Sequence, residues 1–372
     1  MSIIKKTPNL WLLALLFILP QCSEALYTTA LSRISLTTDN IAEWTITLYL
    51  IGFAGGILLW GALSNHLGRR GALLAGFSLF LIGSLCAFTL SLTLGRLLQG
   101  LGGSAGPLLG QIIVRETSDS EGTARNFSLI GAPVALAPVF IPSLGGHLVE
   151  RFDWSSVFVF LTFFTSVTLL LIYFKLPETA TPNEKLSPKR FFSDTSTLAY
   201  VVAMAAANAV TFCIYCNAPF YLNLSPSHYG YTFLLTSLGG VLGALYSNFA
   251  LKNTSTTRLL KRGTWTLLTA TLSLYALESP SLLTTLFLLF TMKFSVGMVF
   301  PSILTLAVAH FKKQVAAAST LFGFGYYLLT ALFNHQFTTG NFPLTLLTIS
   351  LIGFAAVQLA TRQRQPQAAV EV

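Results

Sequence analysis

Apolar runs long enough to cross a bilayer recur from one end of this chain to the other. About twelve can be read, near 10–31, 43–63, 72–90, 92–114, 126–148, 154–174, 197–221, 231–251, 263–278, 282–309, 315–335 and 341–361. A helix needs roughly 17–25 residues to span the hydrocarbon core. Lipid offers the backbone no hydrogen-bonding partner, so such runs cross as helices whose own N–H and C=O groups pair. The fold class that follows is an all-α polytopic membrane protein with twelve transmembrane helices. Only 9% of the residues are charged, against about 25% in a soluble domain.

The few charges are ordered. Eighteen Lys and Arg residues, from Lys5 and Lys6 through Arg69, Arg70, Arg115 and Lys312 to Arg364, fall in alternate loops, and the intervening loops hold only Arg33 and Arg151. This is the bias that sets membrane orientation. It puts both termini on the cytoplasmic side and requires an even number of spans. The net charge of +9 is thus a topology signal, and no nucleic-acid partner is implied. Lys5 and Lys6 ahead of an apolar run resemble a signal peptide, but Gln21 is a poor residue at a cleavage site. The segment is read as an uncleaved first helix. Cys22, Cys86, Cys213 and Cys216 all lie in apolar runs, and Cys213-x-x-Cys216 lacks the second pair that a metal site would need.

Two cations remain, and both lie inside apolar runs. Arg96-x-x-x-Gly100-x-x-x-Ser104 is echoed by Lys293-x-x-x-Gly297-x-x-x-Pro301. A lone guanidinium at membrane depth costs at least ~2.5–3.5 kcal/mol, so each cation needs a partner or a wet cavity. Small residues at 100, 102, 103, 104 and 106 allow another helix backbone to come close. Gly239-Gly240 followed by Ser247-Asn248 echoes Gly55-Gly56 followed by Ser64-Asn65. These echoes predict two pseudo-symmetric six-helix bundles, 1–174 and 197–372, joined by a cytoplasmic linker over 175–196. Within that linker, Pro188-Lys-Arg-Phe-Phe-Ser reads as a short helix on the membrane surface. Glu24 is the one carboxylate placed well inside a span. It either faces a watery cavity, where a desolvated carboxylate can take up and release a proton, or lies solvated at the outer end of a short first helix. Arg96 either serves coupling or snorkels to the outer interface. Lys293 either faces the cavity or is buried against backbone carbonyls.

Between the second and third runs stands Gly61-Ala-Leu-Ser-Asn65-His66-Leu-Gly68-Arg69-Arg70-Gly71, where the arginine pair would hold a tight turn at the anionic leaflet. This stretch resembles the signature of the major facilitator superfamily, with Asn65 where that family carries Asp. The resemblance implies a gating role for Gly61, Asn65, Gly68, Arg69 and Arg70, weakened by the missing charge at Asn65. Arg96 and Gly100 match a second motif of the family, whose Arg is implicated in proton coupling in drug/proton antiporters. Pro142, Gly145 and Gly146 match the antiporter motif of the fifth helix, with Ser128, Ala137 and Ile141 standing where glycines are usual. Asn217-Ala-Pro219-Phe220-Tyr221 and Tyr229-Gly230 are similar to the Bcr/CflA-like branch. That branch carries an Asp two residues before a Tyr in its first helix. Here Ala25 takes that place and Glu24 sits one residue earlier.

The function expected is alternating-access transport driven by protons, with Glu24 and Arg96 coupling. Tyr27, Tyr49, Phe212, Tyr215, Lys293 and Tyr326 are candidates to line a cavity for an amphipathic substrate. Proton-coupled export of drugs or metabolites is the first reading, and uptake of a siderophore or another small organic acid is the second. A lipid-modifying membrane enzyme is a remote third. His66, His147, His228, His310 and His335 are scattered without carboxylates at ligand spacing, and no phosphate-cradling glycine loop occurs. No catalytic residue, metal or cofactor is therefore expected. The partners are a small molecule, protons and the lipid bilayer. The chain is expected to act as a monomer in the cell inner membrane.

Overall fold

A computed structural model describes residues 9–37, 41–118, 120–179, 188–309, 311, 314–337 and 341–368. Lys5, Lys6, Lys312, His310 and the centre of the expected linker (180–187) lie outside the described residues, as do the side chains of Ser128 and Arg364.

Every regular element among the described residues is helical. In chain order they are α1 (Leu10–Thr37), α2 (Ile41–Thr89), α3 (Leu92–Gly103), α4 (Ala105–Thr117), α5 (Ser120–Phe152), α6 (Ser155–Lys175), α7 (Pro188–Phe192), α8 (Thr195–Tyr221), α9 (Pro226–Ala250), α10 (Thr256–Ala276), α11 (Leu282–Ala307), α12 (Val315–Phe337) and α13 (Phe342–Ala368). Eight stretches have both the length and the hydropathy of a membrane span, and one of them, Trp44–Thr89, is 46 residues long and carries two crossings. Helices α5, α10 and α12 supply three more by length, 33, 21 and 23 residues. Twelve crossings result. The second and third meet at Gly68, whose φ of 76° breaks α2. Glycine adopts this left-handed backbone without the Cβ clash that other residues suffer. Helices α3 and α4 act as one span interrupted at Ser104.

The chain divides into two compact units, Met1–Glu184 and Lys185–Val372. In the first, α3 packs against both arms of α2. A Cβ on Gly100 would stand 2.0 Å from the Tyr49 carbonyl oxygen, and one on Gly52 would stand 2.4 Å from that of Leu97. Only glycine permits backbones to come this close. In the second unit α11 packs against α9 in the same way. A Cβ on Gly297 would meet the Gly240 carbonyl at 2.2 Å, and one on Gly243 would meet that of Phe294 at 2.0 Å.

These contacts fix the register of the repeat. Counted from the cation, Gly100 and Gly297 occupy one position, and Leu97 and Phe294 another. Their partners therefore correspond as Tyr49 to Gly240 and Gly52 to Gly243. One turn on, Gly56 faces the Leu101 carbonyl, and Ser247, its counterpart, donates its hydroxyl to the Met298 carbonyl at 3.4 Å. The sequence echo of Gly55-Gly56 in Gly239-Gly240 is thus offset: Gly56 corresponds to Ser247. Glycines recur at 239, 240 and 243, so their spacing alone fits more than one register. The packed carbonyls select one.

Prolines interrupt α1, α8 and α11 at Pro20, Pro219 and Pro301. Each lacks the N–H that would bond the carbonyl four residues back. The Leu16 carbonyl released by Pro20 is approached by Gly106 of α4, where a Cβ would lie at 2.1 Å. The Tyr215 carbonyl released by Pro219 accepts the Tyr229 hydroxyl at 2.9 Å. The short α7 forms as expected, but Phe191 is fully buried within the second unit, its ring 5.5 Å from that of Phe311. Its apolar face is spent on the protein core.

Candidate functional site: two cations cradled by tyrosines

Helix α1 continues well past Glu24. Its 28 residues make about 42 Å at 1.5 Å per residue. Glu24 is therefore mid-helix and half-buried, and the solvated-end alternative falls away. Ser23, next to it, accepts a hydrogen bond from Arg96 Nη1 at 3.0 Å.

Arg96 is only 1% exposed, so it does not snorkel. Its Cζ lies 4.2 Å from the centroid of the Tyr27 ring and 4.2 Å from that of Tyr49. Aromatic faces attract a cation by about 2 kcal/mol or more when both are desolvated. Nη1 also donates to Gln99 Oε1 at 2.9 Å. Gln99 Nε2 in turn donates to Ser84 Oγ at 2.8 Å, and Ser84 Oγ donates to the Phe80 carbonyl at 3.0 Å. This chain fixes which end of the Gln99 amide faces the guanidinium. The Tyr27 hydroxyl shares a short hydrogen bond with Thr45. The Tyr49 hydroxyl donates to the Pro20 carbonyl at 3.4 Å.

The second unit repeats half of this arrangement. Lys293 is 6% exposed in the interior of α11. Its Nζ donates to the Tyr215 hydroxyl at 2.6 Å and lies 4.2 Å from that ring's centroid. Tyr215 stacks on Phe233 at 4.3 Å, and Phe212 lies 6.1 Å away. Tyr326 packs elsewhere, on Tyr327 at 4.5 Å, Phe322 at 5.6 Å and Phe300 at 6.4 Å.

The turn at Gly68 differs from expectation. Arg69 is fully buried rather than turned to the leaflet. Its Nη2 and Glu116 Oε1 form a salt bridge at 2.7 Å, and Nε donates to both Glu116 oxygens at 3.2 Å. Nη1 donates to the Ser64 carbonyl at 2.8 Å and to Asn65 Oδ1 at 3.3 Å. Asn65 therefore contributes a hydrogen bond to Arg69 while Glu116 supplies the counter-charge. Glu178 accepts from the backbone N–H groups of Arg69 at 2.7 Å and Arg70 at 3.1 Å. Its carboxylate lies where a Cβ on Gly68 would be, 2.3 Å away. Arg70 sits 5.4 Å from the Tyr173 ring. Gly61 is half-buried two helical turns earlier in α2, where its carbonyl accepts from Asn65 Nδ2 at 3.4 Å.

Pro142, Gly145 and Gly146 are buried, and Gly145 packs on α1, where a Cβ would meet Thr29 Oγ1 at 2.5 Å. Ser104 Oγ donates to the Leu101 carbonyl at 2.9 Å. The sequence reading missed Glu116, Glu178, Gln99 and Ser23. The available signal was Glu116 itself, a carboxylate beside Arg115 at the basic end of its span.

A protein-family model of the Major Facilitator Superfamily matches residues 3–334. The chain belongs to that superfamily and is a multi-pass membrane transporter. It is 28% identical to an uncharacterised transporter of Rickettsia bellii (strain RML369-C), across 96% of this chain and 97% of that protein. It is 28% identical to the uncharacterised MFS-type transporter YdgK of Bacillus subtilis (strain 168), with 76% of each covered. It is 32% identical to the multidrug resistance protein MdtL of Shigella flexneri serotype 5b (strain 8401), over 38% of each. Among solved structures, the D-xylose–proton symporter superposes with a TM-score of 0.76 over 94% of this chain and 96% of that one, at 13% identity. That likeness concerns the fold.

Proposed function

We propose that this transporter exports small amphipathic molecules in exchange for protons, by alternating access of two six-helix halves (1–174 and 197–372, with 175–196 as linker). The observation that carries the reading is the bond from buried Arg96 of α3 to Ser23 of α1, the residue next to half-buried Glu24. Acid and base are thereby held on two helices that touch, so that each charge acts on the other across a poorly solvated gap. Relative movement of α1 and α3 would raise and lower that influence and so time proton uptake and release. Substrate and proton would then compete. The similarity to MdtL and the antiporter motif at Pro142, Gly145 and Gly146 support export within the drug/proton antiporter group, and Asn217-Ala-Pro219 supports the Bcr/CflA-like branch. The turn built on Gly61, Asn65, Gly68, Arg69 and Arg70 serves as gate. We place the protein as a monomer in the inner membrane with both termini cytoplasmic. An uptake carrier for an organic acid is the second reading, favoured by buried Lys293.

The test uses the full chain in proteoliposomes under an imposed pH gradient. Glu24→Gln should abolish proton-driven substrate movement yet leave substrate counterflow. Undiminished proton-driven transport by that variant would remove the coupling role.

A further inference from the structure

The two cations share a packing register but not an enclosure. In the first unit the position beside the cation on α2 is Tyr49, whose ring, like that of Tyr27, lies against the Arg96 guanidinium. In the second unit the corresponding position on α9 is Gly240, which has no side chain to place there. Gly239 and Gly243 need to be glycine, since a Cβ on either would come within 2.4 Å of a carbonyl oxygen of α11. Gly240 has no such need. A Cβ there would meet only the Lys293 carbonyl, at the ordinary contact distance of 3.7 Å. At this position α9 thus leaves room for a side chain, where the first unit is filled by an aromatic ring.

We infer that the second unit holds a binding site for an aromatic anion beside Lys293, in which the ligand's ring takes the place that Tyr49 fills in the first unit. The inference rests on the transport reading only in taking this anion as substrate. Lys293 supplies the positive charge. It is a compact ammonium with rotatable donors on a flexible stem, so it can keep its bond to the Tyr215 hydroxyl and still offer a proton to a carboxylate. Tyr215 supplies one aromatic wall and is held from three sides. Phe233 stacks on it, Phe212 lies at its edge, and Tyr229 bonds the carbonyl that Pro219 leaves open. Lys293 and Tyr215 are 6% and 8% exposed, whereas Arg96 is 1% exposed and Tyr27 and Tyr49 are 0% exposed. Both cations are buried, the second slightly less tightly than the first. A flat ring carrying a carboxylate matches both features, the open slot and the charge at its end. An aliphatic anion matches only the charge, and a neutral aromatic only the slot.

Equilibrium binding to the purified full-length chain in nanodiscs tests this without requiring transport. The probes are salicylate, salicylamide (the same ring without the charge) and cyclohexanecarboxylate (the charge without an aromatic ring). Salicylate should bind at least about tenfold more tightly than either of the others, since each lacks one of the two recognised features. Lys293→Gln and Gly240→Phe should each weaken salicylate at least about tenfold, and Gly240→Ala should stay within about threefold of the parent. Equal affinity for the three probes in the parent protein overturns the inference, and so does unchanged salicylate binding in both Lys293→Gln and Gly240→Phe. The probe series on the parent chain needs no substitution, so it decides even if a variant fails to fold. Loss of proton-driven flux in the parent with Lys293-dependent binding intact would sink the antiport reading and leave this site standing.

Discussion

Arg96 and Lys293 occupy equivalent places in two packed seams, yet the chain treats them oppositely. Arg96 lies against two tyrosine rings and is tied to Ser23 and Gln99. Lys293 leans on one ring and bonds its hydroxyl. A guanidinium is planar, permanently charged and rich in directional donors, so it rewards a rigid, fully specified surround. An ammonium is compact and readily changes partner. Under the transport cycle proposed above, Arg96 would serve as a fixed electrostatic reference and Lys293 as an adaptable contact point. A single residue accounts for much of the difference, Tyr49 against Gly240.

The largest effect expected is on the seams themselves. Gly100→Val and Gly297→Val should each destabilise the protein by more than the ~1–3 kcal/mol typical of overpacking, because the contacts at 2.0 and 2.2 Å are to backbone that cannot step aside. Gly240→Ala should leave thermal stability within about 0.5 kcal/mol of the parent, as substitutions away from tight contacts do. Melting curves of the purified variants check this. A Gly240→Ala protein as damaged as Gly100→Val would break the register on which the comparison stands.

A smaller effect separates the two cations. Arg96→Lys keeps the charge but loses the flat stacking and the fork to Ser23 and Gln99, so proton-driven exchange should fall about tenfold or more, a barrier change of ~1.4 kcal/mol. The reverse exchange at the other site, Lys293→Arg, should change transport several times less. Rates in proteoliposomes decide, and equal losses would erase the distinction between fixed and adaptable cation.

The smallest effect sharpens the role of the ring that the second unit lacks. Tyr49→Phe retains the aromatic face over Arg96 and removes only the hydroxyl that bonds the Pro20 carbonyl of α1, a change worth ~1 kcal/mol for one hydrogen bond. Stability should fall by no more than that, whereas the pH at which exchange is half-maximal should shift, since this bond ties the Arg96 surround to the helix that carries Glu24. An unchanged pH profile would reduce Tyr49 to a packing residue.

The span pattern, the alternation of basic loops and the pairing of Arg96 with Lys293 were all legible in the sequence. Each depends on hydropathy, charge or short-range spacing, and a linear chain displays those directly. The partners of Arg69 were not legible. Glu116 and Glu178 lie 47 and 109 positions away and carry no motif, so only folding brings them to the Gly68 turn. The burial of Arg69 follows from that. A guanidinium met by a bidentate carboxylate can leave water, and breaking such a pair typically costs about 3–5 kcal/mol. Phe191 was likewise assigned to the membrane surface because a five-residue helix does not announce which side its ring will pack.

By itself the sequence determined that this chain crosses a membrane as a doubled set of helices with one cation in the middle of an apolar span in each half. The energy of desolvating backbone and charge leaves no other arrangement for such a composition. Tertiary structure decided what surrounds those cations. A helix presents its glycines at several spacings that serve almost equally well, and only contact between backbones selects the one that sets Tyr49 against Arg96 and Gly240 beside Lys293.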